Sequence, residues 1–253
     1  MKITFIGHSG FLVELDEANL VFDWAEGNLP ALNKEKPAFV FISHAHGDHY
    51  NKNIFSYFES EGMLEKTEFF LGEDTEAPFG SIAEKYLARC HMMRGEEIFE
   101  STEAPKIKIE TLFSTDAGVA FIVTLGGKTI FHAGDLVWWD WTQDGGVYDP
   151  EEARKEAEET ARDFKKKIEP LRGRHLDLAM IPLDPRLGGT MDWTIEAYDE
   201  IADIDAIIPM HQWNNYECTA EFIKKHPEIA TRMLQIVNKK GIKNPGMLGA
   251  PRD

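Results

Sequence analysis

Short apolar strands followed by helices, twice over, predict an α/β sandwich of two similar halves packed face to face. Three observations carry this expectation. Apolar runs of strand length recur along the chain, bounded by Gly, Asn, Asp and Ser turn residues. Helix-patterned stretches follow them, the clearest after Asp149, where apolar residues return every three or four positions. Acids and histidines collect at strand ends, where packing gives them no reason to stand.

Lys2–Gly7, Phe11–Leu15 and Leu20–Asp23 read as strands, with turn chemistry at Ser9-Gly10 and over Asp16–Asn19. His8 closes the first of these and Asp23 the third. Phe39–Ile42 is a further buried strand, and it runs directly into Ser43–Tyr50, SHAHGDHY. Asn51–Glu59 looks helical, Glu68–Leu71 extended, Thr75–Arg89 helical and Cys90–Met93 extended. Ile107–Glu110, Val119–Leu125 and Lys128–Phe131 continue the series, the last two joined by Gly126-Gly127 as a hairpin turn. Phe131–Asp135 again delivers an acid at a strand end. Trp138-Trp139-Asp140-Trp141 follows, readable either as a wall of a site mouth or as aromatic core.

Asp149-Pro150-Glu151-Glu152 carries helix-start signals: a capping Asp, Pro in the first position and acids in the first turn. Ala153, Ala157, Phe164, Ile168 and Leu171 form the apolar stripe of that helix, and its lysines come late, as the helix dipole favours. Leu176–Pro182 is a strand, Trp193–Ile201 a helix, Ala206–Met210 a strand ending in His211, and Ala220–Asn238 a final helix.

The 253 residues allow one sizeable domain or two small ones, and with no low-complexity stretch or linker a single domain over 1–253 is expected. Lys+Arg number 27 against Asp+Glu 44, a formal charge of −17. Such a surface repels phosphate backbones, so a small-molecule substrate is expected and nucleic acid is not. No apolar run approaches the ~20 residues of a membrane span. Two cysteines, Cys90 and Cys218, argue against a disulfide framework and for a reducing cytoplasm. MKITFIGHSG enters a strand at once, without the pattern of a signal peptide. The expectation is a soluble, cytoplasmic protein; the sequence leaves monomer and homo-oligomer open.

His44, His46, Asp48 and His49 crowd into the turn after a buried strand. Imidazole and carboxylate are good ligands for zinc and its neighbours, and alternate side chains leaving a strand can meet in one pocket. A histidine-rich surface loop is the plain alternative, but HxHxDH after a strand is a specific metal signal. Asp135 and His211 share the strand-end placement, so distant segments can join the same pocket.

HAHGDH, the strand-end Asp23, FHAGD with Asp135 and PMHQW with His211 resemble the metallo-β-lactamase-fold hydrolase superfamily over nearly the whole chain. GHSGFLVEL and the PMH segment look like the branch containing the L-ascorbate-6-phosphate lactonases and their relatives. The resemblance implies a four-layer αββα sandwich, of the α+β or α/β class, with a metal site at one sheet edge. It implies that His44 and His46 bind one metal, that Asp48, His49 and His211 bind a second, that Asp135 bridges them and that Asp23 supports the site. Two divalent ions, zinc or manganese with iron as a further choice, are the implied cofactors, and Asp48 and Asp135 the implied catalytic carboxylates.

The chain departs from the family at one point. A third histidine normally precedes a strand between the first cluster and the bridging Asp, whereas here Phe113–Gly118 reads FSTDAG. Asp116 is the best substitute ligand, with capping of a turn as its alternative; Ser114 stands closer to the expected position, but a neutral hydroxyl binds such cations weakly. A more oxygen-rich first site shifts preference from zinc toward manganese or iron. His132 and His8 are placed to support or line the pocket, with packing as the alternative. Arg186, just past a strand end, could clamp a substrate anion or be a solvated loop arginine. His91, His175 and His226 read as ordinary strand or surface residues.

The expected function is a metal-dependent hydrolase that uses a metal-bound hydroxide on a small-molecule lactone, ester or phosphoester. The alternatives are a di-iron redox member of the same fold or a non-catalytic descendant that binds a ligand. Neither Cys90 nor Cys218 stands with a histidine in an arrangement that suggests a thiol nucleophile.

Overall fold

The computed structural model describes residues 1–75, 84–141, 150–238 and 241–243. The first sheet has six strands in the order β1-β2-β3-β4-β5-β6. These are β1 (Lys2–Gly7), β2 (Gly10–Glu14), β3 (Asn19–Phe22), β4 (Ala38–Ile42), β5 (Thr67–Gly72) and β6 (Cys90–Met93). The first three pair antiparallel and the rest parallel. The second sheet, also of six, runs in the order β14-β12-β10-β9-β8-β7. Its members are β7 (Ile98–Glu100), β8 (Ile107–Phe113), β9 (Val119–Leu125), β10 (Lys128–His132), β12 (Leu178–Pro182) and β14 (Ile207–Met210). The two-residue strands β11 (His175–Leu176) and β13 (Asp203–Ile204) pair with each other.

Period-two alternation divides the apolar residues between layers. In β4, Phe39 and Phe41 face the second sheet, whereas Ala38, Val40 and Ile42 face outward. Phe41 meets Phe121 of β9 at a ring separation of 5.3 Å, the core between the sheets. The outward face is covered by α1 (Ile54–Ser60), whose Phe55 and Phe58 rings lie 4.7 and 5.7 Å from Phe69. On the far side, α3 (Pro150–Ile168) and α4 (Trp193–Ile201) cover the second sheet. There Tyr198 packs 5.3 Å from Phe131 and 5.5 Å from Phe164. Each fully buried Phe contributes about 1.5–3 kcal/mol of burial. The arrangement is the expected four-layer αββα sandwich.

The Gly126-Gly127 hairpin forms as expected, both residues having positive φ as a tight turn requires. In α3 the acids Glu151 and Glu152 begin the helix and Lys165, Lys166 and Lys167 end it. Phe164, Ile168 and Leu171 of its stripe are buried. Asp149 and the side chain of Ala153 lie outside the described residues.

Three sequence expectations need correction. The final helix does not span Ala220–Asn238: α5 covers Cys218–Lys225 and is followed by a hairpin of β15 (Gln235–Asn238) and β16 (Gly241–Lys243). Pro227 is the reason, because it has no N–H for the ladder and disfavours helical backbone at His226, which sits at φ −123°. Within the stretch expected as a helix over Thr75–Arg89, a 3-10 turn spans Glu73–Thr75 and a short α2 spans Glu84–Leu87; residues 76–83 lie outside the described part. β7 was not expected, since three residues with exposed Ile98 and Glu100 give no readable alternation. Among the described residues no helix is long and apolar enough to cross a membrane.

Candidate metal centre

The strands of both sheets end at one edge, and there the backbone is bent sharply. His8 after β1, Asp23 after β3 and His211 after β14 have φ of 45°, 37° and 60°. Non-glycine residues avoid this left-handed region, at a cost of about 1–3 kcal/mol each, and such strain gathers at functional sites. The β4 end, Ser43, is pressed against the second sheet. Val119 N donates to Ser43 O at 3.0 Å, and a Cβ at Gly118 (φ 63°) would stand 1.9 Å from that same oxygen. Glycine at 118 lets the 114–118 loop reach the histidine cluster.

Two groups of side chains converge, each with candidate ligand atoms within 4.8 Å of one another. One comprises His44, His46, Asp116 and Asp135; the other His8, Asp48, His49 and His211. Asp135 stands between them, with Oδ2 3.7 Å from His44 Nε2 and Oδ1 3.2 Å from His49 Nε2 and 3.6 Å from His211 Nε2. Asp48 Oδ2 lies 3.3 Å from His8 Nε2 and 3.7 Å from His211 Nε2. Asp116 Oδ2 is 3.4 Å from His46 Nδ1, which brings this carboxylate into the first group. Ser114 is engaged in its own loop and with α3: its hydroxyl accepts from Asp116 N at 3.1 Å, and its carbonyl accepts from Lys167 of α3 at 2.7 Å.

The far edges of three imidazoles are held. Asp23 Oδ2 accepts from His49 Nδ1 at 2.7 Å, and Asp184 Oδ2 accepts from His211 Nδ1 at 2.9 Å. Ser43 donates its hydroxyl to Asp23 Oδ2 at 2.6 Å, which leaves its oxygen to accept from His44 Nδ1 at 2.9 Å. These partners keep a proton on each Nδ1 and turn Nε2 inward, where it can coordinate a metal once it is unprotonated. Yet His8 Nε2, His44 Nε2, His49 Nε2 and Asp135 Oδ1 are buried with no hydrogen-bond partner among the described residues. Buried polar atoms are nearly always paired. His49 Nε2 lies 3.2 Å from Asp135 Oδ1, His44 Nε2 3.7 Å from Asp135 Oδ2 and His8 Nε2 3.3 Å from Asp48 Oδ2, a set of inward-facing donors that fits a divalent metal, for which imidazole and carboxylate are the ligands.

Electrostatics agree. Burial pushes His44 down to about 4, with His49 adding to the effect, so it is a neutral donor. Burial opposes charge on His49 too, but Asp135 and Asp23 hold its pKa well above the usual value. Burial would raise Asp135 and Asp48; neighbouring imidazoles (His49 and His211 foremost) pull both below the usual carboxylate range. Asp116 is raised, by burial and then by the nearby Asp135 charge.

The remaining expectations sort themselves by partner. His8 faces the second group, against His211 and Trp213. His132 spends both nitrogens on backbone, Nε2 on Ser9 O at 2.9 Å and Nδ1 on Gly134 N at 3.1 Å, and stacks on Phe22, so it braces the edge. His91 pairs with Glu68, His175 with Asp203 and His226 with Asp192, all away from the centre. The tryptophan run divides: Trp138 packs on Phe164 and Trp193, whereas Trp139 and Trp141 stack on each other and line a cavity of about 460 Å³. Asp48, Asp116, Asp135, His46, His211 and Arg186 also face it.

Ser43, Asp74 and Asp184 were missed by sequence reasoning. Asp74 accepts from Ala45 N at 2.9 Å and so fixes the turn between His44 and His46. Asp184 had a readable signal, an acid just past an apolar strand, the same logic that singled out Asp23.

Residues 2–139 match the family described as the beta-lactamase superfamily domain. A UPF0173 metal-dependent hydrolase of Korarchaeum cryptofilum is 26% identical over 254 aligned positions, covering 96% of this chain and 93% of that protein. Another UPF0173 metal-dependent hydrolase, from Desulforamulus reducens, is 33% identical over 159 positions, covering 53% of this chain and 62% of its own. The fold is similar to that of Igni18, a metallo hydrolase from the archaeon Ignicoccus hospitalis, with a TM-score of 0.61 at 17% identity over 95% of this chain and 96% of that one.

Proposed function

The chain belongs to the beta-lactamase superfamily domain family, and from that premise we propose that it is a two-metal hydrolase of a lactone, ester or phosphoester bond in a small molecule. The observation that supports this most is the set of buried, inward-facing donor atoms without partners: His44 Nε2, His49 Nε2 and Asp135 Oδ1. His44, His46, Asp116 and Asp135 would hold one ion; Asp48, His49 and His211 would hold the other, with Asp135 shared. Zinc or manganese suits the mixture, and the carboxylate at 116 leans the first position toward manganese or iron.

A divalent pair supplies Lewis acidity for the substrate oxygen and lowers the pKa of water. The chain itself supplies placement. Asp23, Ser43 and Asp184 fix the Nδ1 edges of His49, His44 and His211, so the inner nitrogens need no reorganisation. Asp48, whose Oδ2 faces the histidines, would take a proton from attacking water at Oδ1 and return it to the leaving oxygen. Trp139 and Trp141 form one wall of the cavity. The resemblance of GHSGFLVEL and the PMH segment to the branch containing the L-ascorbate-6-phosphate lactonases supports including a lactone among the three bond types.

The test is a panel of lactones, carboxylic esters and phosphodiesters, assayed with zinc- and manganese-loaded protein. We expect turnover of one class, loss on chelation, recovery on adding metal and a fall of about 100-fold or more in Asp135→Asn. A fully loaded protein that turns over nothing in the panel would sink the hydrolase reading and leave a ligand-binding descendant.

A further inference from the structure

Arg186 is the one Arg or Lys among the described residues lining the cavity, where Asp48, Asp116 and Asp135 also face. A guanidinium has two in-plane edges that accept a carboxylate or phosphate, Nε with Nη2 and Nη1 with Nη2. Asp184 fills the first: Nε lies 3.0 and 2.9 Å from Oδ1 and Oδ2, and Nη2 lies 2.5 Å from Oδ2. The guanidinium carbon stands over the Trp213 ring at 4.3 Å and the Trp141 ring at 5.6 Å. One edge and the aromatic contacts therefore fix the group. Nη1 has no hydrogen-bond partner among the described residues, and 43% of the side chain is exposed. An arginine present only to neutralise Asp184, itself fully buried and already bonded to His211, has no need of an open end on the cavity.

Resting on the hydrolase reading, we propose that the Nη1/Nη2 edge of Arg186 receives an oxyanion carried by the substrate away from the bond that is cut. The substrate class is then an ester, lactone or phosphoester with a second negative group, a carboxylate or a phosphate. The reacting group faces the histidine cluster while the remote anion meets a guanidinium that is already oriented. Its ordering cost is low because Asp184 and the two tryptophans have met it in advance. The Arg186–Asp184–His211 chain also ties the anion subsite to an imidazole of the centre.

The experiment compares paired ligands on metal-loaded protein by calorimetry. Butyrate offers one carboxylate, glutarate adds a second, and 4-phosphonobutyrate adds a phosphonate instead. The ratio of each dianion to butyrate isolates the remote group, since all three can present the same carboxylate to the metals. We expect wild type to favour one dianion by about tenfold or more, the larger ratio naming carboxylate or phosphate as the natural anion. The ratio should fall to about one in Arg186→Gln and to an intermediate value in Arg186→Lys, which keeps charge but not the fork. If Arg186→Gln loads less metal, because Asp184 is left without its cation, Arg186→Lys carries the comparison. A ratio near one in wild type, or one unchanged in both variants, overturns the proposal. Turnover of 4-nitrophenyl butyrate and mono-4-nitrophenyl glutarate separates the two readings. A preserved binding ratio with no turnover of any ester, lactone or phosphoester removes the hydrolase and keeps the subsite. Equal turnover of both esters, with KM for the glutarate ester unmoved by the variants, keeps the hydrolase and removes the subsite.

Discussion

Asp184 Oδ2 lies 2.9 Å from His211 Nδ1, and the arrangement repeats across the molecule where Asp23 Oδ2 lies 2.7 Å from His49 Nδ1. Each carboxylate follows a strand of a different sheet, and each holds an imidazole whose inner nitrogen faces Asp135. Burial would raise both acids, but the histidines beside them (and Arg186 beside Asp184) keep both ionised. An ionised acceptor fixes the ring and makes the opposite nitrogen a better donor. Asp184→Asn should therefore keep the fold while lowering affinity for the ion at His211 by about 10- to 100-fold. Chelator competition on wild type and variant measures this. Equal affinity would reduce Asp184 to a partner of Arg186 alone.

Asp116 offers the sharpest comparison, because its carboxylate stands 3.4 Å from His46, in the segment where the family resemblance leads one to expect a histidine. Asp116→Ala should empty the first site selectively and leave the second filled. Asp116→His should retain an ion there and move its preference toward zinc, the softer choice. Metal counts after dialysis against mixed zinc and manganese read both outcomes. An alanine variant with two full sites would mean that Asp116 only shapes its loop.

The sandwich and most of the centre were legible because their signals are local. HAHGDH places four donors on one turn, and Asp23, Asp135 and His211 each end an apolar strand that packs as expected. Failures came where the signal was a single residue or a distant partner. Pro227 stops α5, yet the amphipathic pattern beyond it still looked helical. Ser43 reads as a turn residue until Asp23 and His44 are seen on either side of it. Trp138 and Trp139 are neighbours in sequence, and only the packing of Phe164 and Trp193 assigns the first to the core. Arg186 could not be told from a loop arginine, because Trp213 and Trp141 reach it from separate segments.

Gly118 should be intolerant of any side chain. It has φ of 63°, and a Cβ would stand 1.9 Å from Ser43 O, a backbone atom that cannot swing aside. Strain of this kind costs about 1–3 kcal/mol before the clash is added. At 2–4 °C per kcal/mol for a chain of this size, Gly118→Ala should lower Tm by about 5 °C or more. Metal affinity at the first site should fall as well, since the same loop carries Asp116. Differential scanning with and without metal tests both effects, and an unchanged Tm would show that the loop can move away from Ser43.

Metal uptake should release a proton, and His49 should be its source. Burial disfavours charge on this ring, but Asp135 at 3.2 Å from Nε2 and Asp23 at 2.7 Å from Nδ1 hold its pKa well above the usual value. Metal-free His49 is therefore an imidazolium at neutral pH, and an ion can take Nε2 only after the proton there has left. His44, pushed down to about 4 by burial, has none to give. Affinity at the second site should accordingly rise with pH up to the raised pKa of His49. Titrations at pH 7 in two buffers of different ionisation heat should report at least one proton released at that site, His49 being its main source and His211 a further one. The same shift sets a stability trend for the metal-free protein. A raised histidine stabilises the fold fully below its unfolded value of about 6.5, and that contribution is lost as pH climbs through the folded value. Metal-free Tm should fall as pH rises above about 6.5, while metal-loaded protein, whose His49 is already neutral, should lack this loss. In His49→Gln both the proton release and the metal-free decline should shrink, the remainder coming from His211, whose pKa is raised against burial by Asp184 and Asp48. Heats independent of the buffer in wild type would mean that His49 is neutral before metal arrives and that Asp135 and Asp23 do not outweigh its burial.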